Sequence, residues 1–217
     1  MTYDDLDAEA SAAGLIVMGA FHPRLTQAAD LDRGTLILLG AGSQFWPVFQ
    51  SSPEARDSKD HPIDRWSTRV IGAMAARTGA VAYFPFGGPP YAPFINWALK
   101  SGRCFTSPTG MLVHDTVGLM ISFRGALHLE DEIDIPDPIG ESPCTECAMP
   151  CTTACPVGAI STGAPYDVMA CHEFLDLPEG ENCLTNGCIA RRACPVSAGA
   201  GRQSAQSELH MRAFHRP

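Results

Sequence analysis

The sequence predicts a mixed α/β (α+β) fold in two parts, a layered sheet domain over residues 1–142 and a small cysteine-rich domain over 143–217. Three observations predict it. Short apolar runs of strand length alternate with segments of helical periodicity between residues 15 and 129, the pattern of a layered sheet. An acidic stretch carrying Glu130, Asp131, Glu132, Asp134, Pro136, Asp137 and Pro138 then reads as a linker. Beyond it, eight of the nine cysteines fall between residues 144 and 194. Both parts are of ordinary domain size.

Residues from about Thr2 to Ala13 read as a short helix whose acidic first turn complements the helix dipole. Leu15–Phe21 is a continuous apolar run of strand length, ended by His22-Pro23-Arg24. Asp30–Gly34 makes a turn, and Thr35–Gly42 is a second buried strand. Its Gly40-x-Gly42 pair lacks the third glycine and helix start of a dinucleotide fingerprint, so residues 42–49 read as a loop or one turn of helix. Asp60-His61-Pro62 carries helix-start signals, a capping residue close before proline. From there Ile63, Trp66, Val70 and Met74 recur at helical spacing, Arg65, Arg69 and Arg77 lie elsewhere, and Gly79 stops the helix.

A brief strand follows over Ala80–Phe84. Residues 85–93 hold four prolines and two glycines, a rigid irregular loop of the kind that shapes a pocket wall. Phe94–Lys100 reads as a helix stopped at Gly102, and Thr106–Gly110 as a turn. Val117–Leu129 reads as one strand, bent at Gly125. Cys104 stands apart from the other cysteines, as a buried small hydrophobe.

Composition narrows the function. Hydrophobic residues make up 45% of the chain, enough for a real core, and no run approaches the length of a membrane span. Acidic residues outnumber basic ones 24 to 15, for a formal charge of −9, which opposes broad binding to nucleic acid. Arg191, Arg192, Arg202, Arg212 and Arg216 gather near the C-terminus and read as a solvated surface. The first residues are acidic and do not resemble an export signal. Cysteines used as thiolate ligands in the cytoplasm are therefore expected, not disulfides.

The stretch Cys144-Thr-Glu-Cys147-Ala-Met-Pro-Cys151-Thr-Thr-Ala-Cys155-Pro156 carries the chemistry. It is the ferredoxin run C-x2-C-x2-C-x3-C-P with one residue added. Short spacings let three thiolates converge on one cubane, and the fourth cysteine points to a second centre. At an offset of 39 residues the pattern returns in damaged form, with Cys155-Pro-Val-Gly-Ala lining up with Cys194-Pro-Val-Ser-Ala and Cys144 with Cys183. This suggests the pseudo-two-fold repeat of a two-cluster ferredoxin, in which each Cys-Pro cysteine serves the opposite cluster. The expected sets are Cys144, Cys147, Cys151 and Cys194 for the first 4Fe–4S cluster, and Cys155, Cys171, Cys183 and Cys188 for a second. Zinc remains open, although only Cys144 and Cys147 make the C-x2-C knuckle it prefers, and so does a site that has lost its metal.

The order of features resembles epoxyqueuosine reductase and, more broadly, the corrinoid-dependent group that includes reductive dehalogenases and CblC-type cobalamin-processing proteins. The residues that carry the resemblance are Asp32–Leu39, the helix after Asp60-His61, Tyr83-Phe-Pro-Phe86, Tyr91–Leu99, Gly118–Leu129, the cysteine run through Ile160, Met169–Leu175, and Gly187-Cys188 with Cys194-Pro195. The resemblance implies a nitroreductase-like domain binding cobalamin over a sheet, fed with electrons by two 4Fe–4S clusters in a ferredoxin-like module. Two positions depart from it. Pro90 stands where the reductases place an acidic proton donor, and Arg191 where the group has a cysteine of its second run. A downstream repeat domain for tRNA is not expected.

The expected function is thus a cytoplasmic iron–sulfur redox protein that takes electrons from a donor protein and passes them to a cofactor or substrate, with a corrinoid as the cofactor the resemblance implies. Tyr91, His114 or His128 could supply a proton in place of the missing acid. The competing expectation is a non-catalytic corrinoid or metal chaperone, or a ferredoxin-like subunit of a larger enzyme.

Overall fold

A computed structural model describes residues 1–26, 31–137 and 140–215. Asp30 of the expected turn, Pro138 of the linker and Arg216 of the arginine group lie outside the described residues. The chain divides into two compact units, residues 1–104 with 122–140 and residues 105–121 with 141–217.

The first unit opens with α1 (Tyr3–Ala12), started by a capping box in which Thr2 and Asp5 exchange side-chain-to-backbone hydrogen bonds. Strand β1 (Leu15–Phe21) leads through a short α2 (Pro23–Thr26) to β2 (Thr35–Ala41), every residue of which is buried. Then come α3 (Phe45–Gln50), α4 (Pro62–Thr78), β3 (Val81–Tyr83) and α5 (Phe94–Lys100). The short strands β4 (Cys104–Thr106) and β5 (Leu112–His114) pair as a two-stranded sheet, and the chain returns to the first unit as β6 (Phe123–Leu129). The main sheet has the order β1-β2-β6-β3, and all its pairs are antiparallel. β2 is an inner strand and the only strand of the main sheet that is buried at every position.

Helix α4 covers the sheet with Ile63, Trp66, Ile71 and Met74 buried, and Gly79 ends it in the left-handed conformation. Two details differ from the sequence reading. Ile71 takes the fully buried place expected of Val70, since the helix is rotated to set Ile71 against Gly125, where a Cβ would come within 2.8 Å of Ile71 Cδ1. The helix N-cap is His61, itself left-handed (φ 52°), and it makes no side-chain cap. Phe45 and Phe49 stack on each other and each meets Trp66 of α4 edge to face, with Phe45 and Trp66 centroids 5.1 Å apart. Arg69 grips the buried Glu54 carboxylate with two hydrogen bonds of 2.5 and 2.8 Å.

The acidic linker is tied down. Thr35 Oγ1 donates to the Asp131 carbonyl and accepts from the Ile133 amide, and His22 Nε2 lies 3.0 Å from the Ile133 carbonyl.

The expected strand Val117–Leu129 is shorter than predicted. Only Phe123–Leu129 pairs with the main sheet, and the register slips beside Leu39 and Gly40, where Arg124 is the extra residue of a bulge. Residues 117–121 belong to the second unit. Gly118 (φ 56°) sits where a Cβ would come within 2.5 Å of the Ser197 nitrogen, and the Leu119 amide donates to Ser197 Oγ. The rest of the second unit is helical: α6 (Val168–Leu175), α7 (Glu181–Asn186), α8 (Ile189–Ala193) and α9 (Ser204–Phe214), joined by short 3-10 turns. Among the described residues no helix is long and apolar enough to cross a membrane.

Candidate metal centre

The eight cysteines of the second unit separate into two groups of four around two cavities. Cys144, Cys147, Cys151 and Cys194 line one, together with Val113, Leu119 and Val196. Cys155, Cys171, Cys183 and Cys188 line the other, with Ile160, Tyr166 and Leu175. The two Cys-Pro cysteines are exchanged: Cys155 leaves its own run for the second group, and Cys194 joins the first. Cys104 stands in the other unit and is buried.

Local structure explains how the run delivers its thiols. Residues 150–152 form a 3-10 turn with Pro150 at its start, where a missing N–H costs nothing. Met149 before it is left-handed (φ 53°), which reverses the chain between Cys147 and Cys151. The Met149 amide donates to Cys147 Sγ at 3.3 Å, and the Cys144 amide donates to Ser142 Oγ. The residue added to the ferredoxin spacing is absorbed in this turn. In the second group, α6 presents Cys171 and α7 presents Cys183. Gly187 (φ 88°) then turns the chain so that Cys188, five residues on, faces the same cavity.

The surroundings are largely apolar. Val113, Leu119, Cys151 and Cys194 form one buried cluster, with Phe105, Met111, Cys144 and Val196 packed against it. Burial is the largest influence on Cys144, Cys151, Cys171 and Cys183, and it pushes each thiol above its ordinary value. The neighbouring thiols add to this within each group: Cys194 acts on Cys144 and Cys151, whereas Cys155 and Cys188 act on Cys171 and Cys183. Tyr166 hydrogen-bonds with Cys171, and the Ile189 amide with Cys183.

The two cavities differ in size. The second is about 170 Å³, and the first about 10 Å³, room for one water. Among the described residues, no three His, Cys, Asp or Glu side chains are arranged to hold a single metal ion. A cubane makes a different demand, since each thiolate binds a different iron. Four thiols spread around an apolar cavity meet that demand, as the second group does.

The groups considered as proton donors are poorly placed for it. His114 is fully buried, and its Nδ1 accepts from the Thr116 amide at 3.0 Å. His128 Nε2 lies 2.8 Å from the Arg33 carbonyl, to which it donates. Tyr91 is 66% exposed. Three of the arginines near the C-terminus are spent on structure: Arg192 donates to the Gly187 carbonyl and Asn182, Arg202 to the Met120 carbonyl, and Arg212 pairs with Glu208.

Nothing in the sequence pointed to the wall that Val113 and Leu119 supply to the first group, since these residues lie 25 or more positions before Cys144. Nor did it reveal the chain His172–His215–Asp176 beside the second group. There the two Nδ1 atoms stand 2.6 Å apart, and His215 Nε2 is 2.9 Å from Asp176 Oδ1. Compared with known proteins, the chain matches no family model, no curated protein and no solved structure.

Proposed function

We propose that the chain is an iron–sulfur redox protein. Cys144, Cys147, Cys151 and Cys194 would hold one 4Fe–4S cluster, and Cys155, Cys171, Cys183 and Cys188 a second. The observation that carries this reading is the sorting of eight thiols into two separate groups of four with the Cys-Pro cysteines exchanged. That exchange is the ligation pattern of two-cluster ferredoxins, and a disulfide or zinc framework gives no reason for it. A bound cluster supplies one-electron exchange with little reorganisation.

The protein's own part is to hold thiolates, exclude water and set the local field. Val113, Leu119 and Val196 dry the first site. The Met149 and Ile189 amides and the Tyr166 hydroxyl direct hydrogen bonds at cysteine sulfur, which stabilises the thiolate. The first cavity, about 10 Å³, is too small for a cluster with its side chains as they stand, and Cys147 and Met149 beside it are partly exposed.

We propose further that the electrons go to a corrinoid held by the first unit in a nitroreductase-like manner, on the strength of the resemblance to the corrinoid-dependent group. The positions of His114, His128 and Tyr91 favour a non-catalytic form of this reading, a ferredoxin-like subunit or corrinoid-binding carrier. The test is iron and acid-labile sulfide per chain on protein purified without oxygen, with its visible spectrum. About eight irons with broad absorption near 400 nm is the expected result. Colourless protein holding zinc or no metal overturns the cluster reading. Adding cobalamin should perturb the corrinoid spectrum, and an unchanged spectrum at high protein concentration refutes the corrinoid half. Steady-state reduction of an added corrinoid would decide against the non-catalytic form.

A further inference from the structure

The two cysteine groups differ in the charge around them. Among the described residues, the walls of the first cavity besides its cysteines are serine, proline, methionine and aliphatic side chains, none of them charged. The second cavity is lined by Arg191, Arg202 and His210 and by no Asp or Glu. In a chain whose formal charge is −9, a cavity with only cationic walls departs from the composition.

Arg191 stands on α8, midway between Cys188 and Cys194. It is exposed and forms no ion pair with any described residue, so its charge is not cancelled. That charge acts on Tyr166, whose hydroxyl hydrogen-bonds with Cys171, and Arg192 acts on Cys183. Arg202 donates to the Met120 carbonyl, a neutral partner that leaves the guanidinium charge in place. On Cys144 and Cys151 the charges that act are those of other thiols. Hydrogen bonds to cysteine sulfur occur in both groups, from the Met149 amide in the first and from Tyr166 in the second, so they do not separate the two. Charge does. Reduction adds one negative charge to a centre already made anionic by four thiolates. A cation in the wall stabilises the reduced form, and an uncharged wall gives no such help.

We propose that Arg191 makes the second centre the more easily reduced of the two, so that an electron entering at the first group passes to the second and is held there. In that step the centre held by Cys144, Cys147, Cys151 and Cys194 is oxidised by one electron and the other is reduced by one, with no bond made or broken. The electron comes from an external one-electron donor. Helix α8 joins the two groups, with Cys188 before it and Cys194 after it. The inference rests on the cluster reading and adds a direction of flow to it.

The test is a titration of anaerobic protein with dithionite in the presence of redox mediators, followed by electron paramagnetic resonance. Wild type should be reduced in two one-electron waves. Arg191→Gln should weaken the upper step about tenfold, a fall of about 59 mV for one electron, and leave the lower wave in place. Arg191→Lys keeps the charge and should stay near wild type. Arg212→Gln removes the same charge from α9 outside both cavity walls and should move neither wave. Cys194→Ala, which lacks a ligand of the first group, should retain the upper wave, and Cys188→Ala the lower. Circular dichroism shows that each variant is folded. Iron and acid-labile sulfide on the same samples separate the two ideas. Wild type without iron for two clusters overturns the cluster reading and this inference with it. Iron for two clusters, with both waves moved alike or neither moved by Arg191→Gln, with Arg191→Lys shifted as far as Arg191→Gln, or with the lower wave retained in Cys194→Ala, overturns this inference alone.

Discussion

Removing the Cys194 thiol tests the exchanged ligation directly. Cys194 belongs by sequence to the second motif, with Cys183 and Cys188, yet it lines the cavity of Cys144, Cys147 and Cys151. Its charge acts on Cys144 and Cys151, while Cys171 and Cys183 are influenced by their own group. Cys194→Ala should therefore remove the first cluster alone and lower the iron content from about eight to about four per chain. Cys188→Ala should remove the other four. The double variant Cys188→Ala/Cys194→Ala decides between the exchanged and the local arrangement. Exchanged ligation predicts that no cluster survives, whereas local ligation leaves about four irons, because both residues would serve one cluster. The assay is iron and acid-labile sulfide on anaerobic protein, with circular dichroism to show that each variant is folded. A double variant retaining about four irons would refute the reasoning.

Two further outcomes follow from the packing and the electrostatics. Leu119→Ala deletes a side chain only 2% exposed in the apolar cluster beside Cys151 and Cys194. It should cost about 2–5 kcal/mol, and a chelator challenge should then strip iron from the first site faster than from the second. In the first unit, Arg69 holds the Glu54 carboxyl at about 2, below its ordinary 4.5. The folded state then binds fewer protons than the unfolded state between these values. The stabilisation is complete above 4.5 and is lost as pH falls towards 2. Melting temperatures measured across that range should fall less steeply with acid in Glu54→Gln than in wild type; equal slopes would discount the pair.

The sequence by itself determined those elements whose cause is local. Leu15–Phe21 and Phe94–Lys100 have the bounds that apolar continuity and flanking glycine or proline predict, and Thr2 caps α1 from within its first turn. It determined the chemical type of the candidate site as well, because thiols at ferredoxin spacing are legible residue by residue. Helical periodicity narrowed the buried face of α4 to adjacent residues, but its choice of Ile71 over Val70 depends on a strand more than 50 positions away. Only the tertiary structure decided that Val117–Leu129 is divided. Its first residues look as apolar as the rest, and what draws them away is the close approach that Gly118 allows to Ser197. The same contact brings Val113 and Leu119 to the first cysteine group and Cys194 across to it. Spacing fixes which thiols can meet through a short loop; which of them do meet across a long one depends on the apolar surfaces that the rest of the chain must bury.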